Sequence, residues 1–446
     1  MHYMFGSSPL SRSLWWVFLL NGVLVGALGY VFFQDSFTTL ANAYGFLRGH
    51  AGMDSWKPMF KAIEHLRSTS GVPLYEQIFF NDQVKFQYPL SSLLPLDYIQ
   101  RVTGISNSGL MKIINWGCWS AVIAVAVTSW RLLVELYGPS PVDRPAADSR
   151  WAKWDVFIPA MGIALTFYPL MMSFRLGQIQ TLITLLVALS FLAWHWNHRV
   201  TAGVLMGLCA LIKPQWGLII VWAALRKEWR FAAACAVMVA SVTLLTTIVY
   251  GFGNQIDYLH VLSFMGKHGE GYYPNQSLNG LLNRLFFNGN NLVWEGHEFA
   301  PYDARVYWPT FLSALFILGA ALVWRRNEQP TVYDFALMTL SLTMASPIAW
   351  EHHYGILLPI FAIIAPVALK RGVMGRYTAA YIVVAFFLSS HFLKFTNSLA
   401  ATHLNFLQSY LFFAAVMVMV LLYRLSSGER LDVVDDVSST TPESSI

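Results

Sequence analysis

The chain has 446 residues, of which 56% are hydrophobic and only 12% charged, with a mean hydropathy of +0.49. Soluble domains carry about 25% charged residues, so this composition excludes one and indicates an all-α polytopic membrane protein. The net charge of +5 comes without a dense Lys/Arg run, which excludes nucleic-acid binding, and Cys118, Cys209 and Cys235 sit in apolar runs without disulfide or metal spacing.

A span needs about 20 apolar residues. Apolar runs predict about 12 spans, some short or broken: 14–33, 110–133, 156–172, 181–196, 202–212, 217–224, 231–250, 307–323, 333–345, 355–368, 377–393 and 406–422. The first is long for a signal core and lacks a small-x-small cleavage site, so it reads as a retained span. One domain, 1–426, is expected, with long outer loops at 34–109 and 251–305. The Ser/Thr/Asp/Glu-rich stretch 427–446 reads as a disordered cytoplasmic tail.

The segment 200–225 decides the threading. As one helix it would place Lys213 at mid-bilayer and leave basic residues at both ends, Arg199 on one side and Arg226, Lys227 and Arg230 on the other. Cytoplasmic loops collect Lys and Arg, so opposite basic ends conflict. A break at Lys213-Pro214 resolves the conflict, because proline lacks an N–H and disfavours helix in its predecessor. Both ends then face the cytoplasm, with Arg12, Arg131 and Arg424. The short outer turns keep Arg175, Lys213 and Lys394.

With that threading, five polar clusters emerge on the outer side: Met53-Asp54, Arg175 to Gln178, Lys213-Pro214, Asn275 to Gly280, and Trp350 to His353. Asp54 heads a stripe of Trp56, Met59, Phe60, Ile63 and Leu66 at helical spacing, an interfacial amphipathic helix. Asp54 reads either as a helix N-cap or as a general base toward a hydroxyl. Adjacent histidines on a helix point about 100° apart, so one of His352 and His353 is expected on a ligand phosphate, or both face interfacial water. Glu351 with one imidazole is an incomplete metal set, and no metal or cofactor is expected. Lys213 and Arg175 suit a lipid phosphate, or else snorkel to headgroups. The amides of Gln178, Asn275, Gln276 and Asn279 suit sugar hydroxyls or turn formation. No phosphate-binding Gly-rich motif, nucleophile elbow or Asp-x-Asp pair is present, which argues against a soluble nucleotide-sugar donor.

Taken in order, Asp54, Tyr88-Pro89, Leu176-Gly177-Gln178, Gly203 to Lys213-Pro214, Asn275 to Gly280, and Ser346-Pro347 with Trp350-Glu351-His352-His353 resemble the integral-membrane glycosyltransferases of the GT-C superfamily, and most closely glycosyltransferase family 87. The similarity runs from about Leu14 to Leu425. The single proline after Tyr88, and Gln215 after Lys213-Pro214, depart from the family pattern. The resemblance implies inverting transfer of a sugar, mannose first, from a polyprenyl-phosphate-linked donor to a glycolipid or glycan hydroxyl on the periplasmic face of a bacterial inner membrane. It implies Asp54 as catalytic carboxylate and His352 or His353 near the donor phosphate. Beside them, Lys213 and Arg175 are expected on that phosphate, and Gln178, Tyr88, Asn275, Gln276, Asn279 and Glu351 around sugar or acceptor. The competing expectation is a secondary transporter, which would show repeat symmetry and midplane substrate groups; no repeat is evident.

Overall fold

The computed structural model describes residues 9–35, 37–68, 71–137, 151–294, 299–324, 329–370 and 372–426. The tail 427–446 and the loop arginines Arg144, Arg150, Arg325 and Arg326 lie outside them. Among the described residues the secondary structure is helical, with one isolated antiparallel bridge, Asn275 with Trp350, and no strand.

The helices are α1 Pro9–Val31, α2 Thr39–Leu47, α3 Trp56–Arg67, α4 Leu94–Thr103, α5 Asn107–Tyr137, α6 Trp151–Ala164, α7 Tyr168–Leu176, α8 Gln180–His195, α9 Arg199–Ile212, α10 Leu218–Leu225, α11 Trp229–Tyr250, α12 Phe252–His268, α13 Leu278–Leu285, α14 Ala304–Val323, α15 Val332–Met344, α16 Leu357–Lys370, α17 Gly372–Ser390 and α18 Tyr410–Ser426. Short 3-10 turns at Leu90–Ser92, Pro214–Gly217 and Glu351–Ile356 carry sequence-predicted polar clusters or their neighbours.

Among the described residues, five helices are long and apolar enough to cross a membrane: α1, α5, α11, α14 and the last, counted from Asn405. The α6–α7 pair, bent by 55°, makes a sixth if it is one span. Each other expected span is an apolar helix of 10–17 residues, or part of one, shorter than a straight crossing needs. In α11 and α14, large side chains such as Leu244, Ile248, Leu312 and Phe316 are exposed. Faces of that kind require a lipid solvent, and the chain is a multi-pass membrane protein.

The break at Lys213-Pro214 is present. Lys213 is extended (φ −132°, ψ 97°), and Pro214 opens the 3-10 turn before α10. Arg199 Nε lies 3.2 Å from Glu228 Oε2. The start of α9 and the turn after α10 therefore lie together, and the two arms leave and return on one side. α9 runs alongside α11 in the same direction. An added Cβ on Gly203 would lie 2.4 Å from the Phe231 carbonyl, and one on Gly207 2.9 Å from Met238 Cβ. Small residues four apart permit this close approach.

Candidate active site

A backbone junction brings the first two polar clusters together. α7 ends at Gly177 in the left-handed region (φ 70°), a position glycine adopts without steric cost. The exposed carbonyls of its last turn then accept N–H bonds from the strand-like approach to α3: Gly52 to Arg175 (2.9 Å), Asp54 to Leu176 (3.0 Å) and Ser55 to Gly177 (3.3 Å). The two glycines face each other so closely that a Cβ on Gly177 would lie 2.0 Å from the Gly52 carbonyl oxygen. Asp54 is thereby set beside Gln178.

Asp54 is not the N-cap of α3. Ser55 occupies that position and makes no side-chain cap bond. The Asp54 carboxylate instead accepts from Gln178 Nε2. Gln178 Oε1 accepts from Ser55 Oγ at 2.7 Å, and Ser55 Oγ lies 2.9 Å from the Tyr88 hydroxyl and 3.1 Å from the Ile179 N–H. Ser55 has one proton, which goes to Gln178, so the Tyr88 hydroxyl donates to Ser55. The chain Tyr88, Ser55, Gln178, Asp54 thus fixes the amide orientation and points an N–H at the carboxylate. Tyr88 Oη also reaches Gln178 Oε1 at 3.4 Å.

This carboxylate opens into a cavity of about 810 Å³ whose walls include Asp54, Tyr88, Gln178, Lys85, Trp294, Trp350, His352 and His353. Solvent reaches Asp54 through the cavity, yet the surrounding protein raises its pKa above the usual 3.8. Burial is the main cause; the charge of Lys85 and the bond from Gln178 pull it partway back, and Glu270 adds to the rise. Both imidazoles line the wall, with ring centroids 4.7 Å apart and nearly perpendicular. Neighbours on a 3-10 turn diverge by about 120°, yet both rings reach this one wall, against the expectation that a single imidazole would. The segment is a 3-10 turn, and neither ring has a hydrogen-bond partner among the described residues.

Lys213 lines a second cavity of about 270 Å³, with Leu262, Met265, Leu318 and Leu342. Gln87, Tyr88, Ile348 and His353 belong to both walls, so the two cavities adjoin.

Five expected site residues sit elsewhere. Arg175 lines neither cavity; its side chain runs along α2, with Cδ 3.2 Å from where a Gly45 Cβ would stand. Its backbone, not its guanidinium, serves the site. Asn275, Gln276 and Asn279 are fully buried and turned into the fold, with the Asn279 Nδ2 group left without a partner among the described residues. Asn275 Nδ2 donates to the Glu270 and Pro347 carbonyls, and its Oδ1 accepts from the Ala349 N–H. Gln276 bonds the Tyr273 and Gln408 carbonyls and the Phe412 N–H. Asn279 Oδ1 accepts from the Glu270 N–H at 3.1 Å. Glu351 is buried between the hydroxyls of Tyr168 (2.8 Å) and Tyr410 (3.1 Å). Buried polar groups must be paired, and these form the layer behind the histidines, where Gln276 N–H bonds the Ala349 carbonyl and Glu351 N–H the Pro274 carbonyl.

Lys85 was missed. Its ammonium pairs with the buried Glu270 and lies 4.2 Å from the Trp294 ring centroid and 4.7 Å from that of Trp350. Glu270 also accepts from Trp350 Nε1 at 2.5 Å. The available signal was a lone lysine among aromatics in Val84-Lys85-Phe86-Gln87-Tyr88.

A helical multi-pass chain with carboxylates, two imidazoles and lysines around one cavity is equipped for acid–base and anion chemistry at a membrane. The profile of glycosyltransferase family 87 matches residues 86–347, more than half of the chain, and the protein belongs to this family. It is a glycosyltransferase, and this membership gives no support to a transporter. The matched region includes Tyr88, Gln178 and Lys213; Asp54 precedes it and His352 and His353 follow it. No curated protein and no solved structure matches the chain.

Proposed function

We propose that the protein transfers a sugar, mannose in the first instance, from a polyprenyl-phosphate-linked donor to a glycan or glycolipid hydroxyl, with inversion, on the periplasmic face of a bacterial inner membrane. One observation carries the reading: the ionisable wall formed by Asp54, His352 and His353 adjoins, through Tyr88 and His353, an apolar cavity that holds Lys213. A lipid phosphate has this dual character. Its chain suits Leu262, Leu318 and Leu342, and its charge suits Lys213 and the imidazole N–H groups.

In the proposed step Asp54 takes the proton of the acceptor hydroxyl. The hydroxyl oxygen forms a bond to the anomeric carbon on the face opposite the phosphate. The bond from that carbon to the phosphate oxygen breaks, and the polyprenyl phosphate leaves with the electron pair. Gln178 holds Asp54 in place throughout. Since Arg175 lies off both walls, the proposed phosphate cation is Lys213; Lys57, Lys61 and Lys85 are the lysines of the main wall, Lys61 paired with Asp82 and Lys85 with Glu270.

Purified protein in nanodiscs, given a cell-lipid extract as acceptor, should move label from radiolabelled polyprenyl-phosphate-mannose into new lipid or glycan species, and not from labelled GDP-mannose. Transfer from GDP-mannose alone would reject the lipid-donor reading.

A further inference from the structure

We infer that the cavity on the other side of Trp294 is a carbohydrate subsite, which holds sugar units of a glycan acceptor beyond the unit that reacts. The inference rests on the glycosyl-transfer reading above. The cavity measures about 510 Å³ and is lined by Phe264, His268, Tyr272, Asn290, Trp294 and Phe299, with backbone between them. Trp294 also belongs to the wall of the main cavity, so the two spaces lie next to each other. The volume falls within the range of small-molecule sites, about 300–1,000 Å³.

The lining chemistry selects among ligands. Its lining contains no Lys, Arg, Asp or Glu among the described residues, and Lys85, whose ammonium stands against the Trp294 and Phe299 rings, is paired with Glu270. A lipid tail would want apolar groups on every side, yet two polar groups face this space with capacity to spare. His268 Nδ1 lies 3.0 Å from the Ala300 carbonyl oxygen, which fixes the ring and leaves Nε2. The ring also stacks on Phe264, with centroids 4.3 Å apart. Asn290 Oδ1 accepts the Leu292 and Val293 N–H groups at 2.9 and 3.0 Å, which leaves the Nδ2 amino group as a donor. Aromatic rings stand around them: Tyr272 is stacked on Trp294 at 6.1 Å, and Phe299 meets Trp294 edge-on at 6.1 Å. A neutral pyranose has C–H faces for rings and a rim of hydroxyls for an amide and an imidazole. The cavity therefore matches an uncharged glycan, and its position makes the acceptor longer than one sugar.

The test is tryptophan-fluorescence titration of the full chain in nanodiscs with linear oligosaccharides of one to five units, built from mannose, glucose, galactose or arabinose. Polyprenyl phosphate binding is measured in parallel. At least one oligosaccharide of two or more units should bind saturably and about tenfold tighter than its own monosaccharide. The double variant His268→Ala/Asn290→Ala should erase that tenfold advantage, the effect of two lost hydrogen bonds, while polyprenyl phosphate binds as before. Equal binding of monosaccharide and oligosaccharide, an unaffected double variant, or no saturable binding beside intact polyprenyl phosphate binding would each overturn the subsite. Failure of the wild type to bind polyprenyl phosphate would count against the lipid-donor reading and leave the subsite standing on its own titration.

Discussion

Gln178 bridges Asp54 and Ser55: its amide nitrogen donates to the carboxylate while its oxygen accepts the serine hydroxyl. The aspartate is therefore held by a side chain that is itself held, and reaches the cavity in one orientation. Positioned acids and bases contribute about 10²–10⁴-fold to rate. Asp54→Asn should lower kcat by that order while expression, thermal stability and donor affinity stay near wild type. Transfer at wild-type rate would remove Asp54 from the proton-accepting role.

Gln178→Leu removes the amide and leaves Ser55 Oγ without its acceptor. Loss of a buried partner costs about 1–3 kcal/mol, so the melting temperature should fall and kcat should fall with it. Ser55→Ala keeps Gln178 beside Asp54 but frees its orientation. Its kcat should lie between those of Gln178→Leu and wild type. A thermal scan with kcat and KM on each variant checks the order.

The pH dependence follows from the raised Asp54 pKa. Asp54 accepts a proton only when ionised, so kcat/KM should fall as pH drops through a midpoint above 3.8. Lys85 is the strongest of the influences that favour the charged form. Lys85→Met should move that midpoint upward. The stability sign is the reverse: a carboxyl whose folded pKa is raised costs stability above that pKa, and the cost disappears as pH falls below the unfolded value. A pH–rate profile of both proteins decides; an unmoved midpoint in Lys85→Met would contradict the coupling.

Lys213 and Arg175 now separate experimentally. Charge-assisted hydrogen bonds contribute about 1.5–3 kcal/mol, so Lys213→Ala should weaken polyprenyl phosphate binding roughly tenfold or more. Arg175→Ala should leave that affinity unchanged. An equal loss in both variants would return Arg175 to the phosphate.

Gly177→Ala should destabilise sharply. The residue sits at φ 70°, and the new methyl would meet the Gly52 carbonyl oxygen at 2.0 Å. Strained backbone of this kind costs about 1–3 kcal/mol before any clash, and the junction that sets Asp54 beside Gln178 would open. Melting temperature and kcat should drop together.

The sequence made some of this legible and hid the rest for physical reasons. Apolar run length announced the helices, and the conflict of basic ends around 200–225 announced the break at Lys213-Pro214. Asp54, Gln178, Tyr88 and both histidines share one cavity, as their grouping on one side of the threading suggested. Runs of equal length ended differently: 307–323 and 406–422 lie in helices long enough to span, whereas 377–393 lies mostly in a shorter one. Asn275, Gln276 and Asn279 were read outward because amides suit sugars. The carbonyls that claim them, at Pro347, Gln408 and elsewhere, lie far along the chain. Lys85 stood in a long loop, where charge says nothing about orientation, and its partner Glu270 is in the other long loop.

The wall that holds Asp54 is shared by residues from Met53 to His353. During synthesis the first contributors enter the bilayer long before the last are translated. Asp54 must wait, opposite an unfinished wall, while six or more helices arrive. A ribosome product that stops short of His353 has no complete cavity, whatever its helices have achieved. On the proposed assignment, activity is a property acquired late in biogenesis, because the last of the wall residues is also among the last to be made.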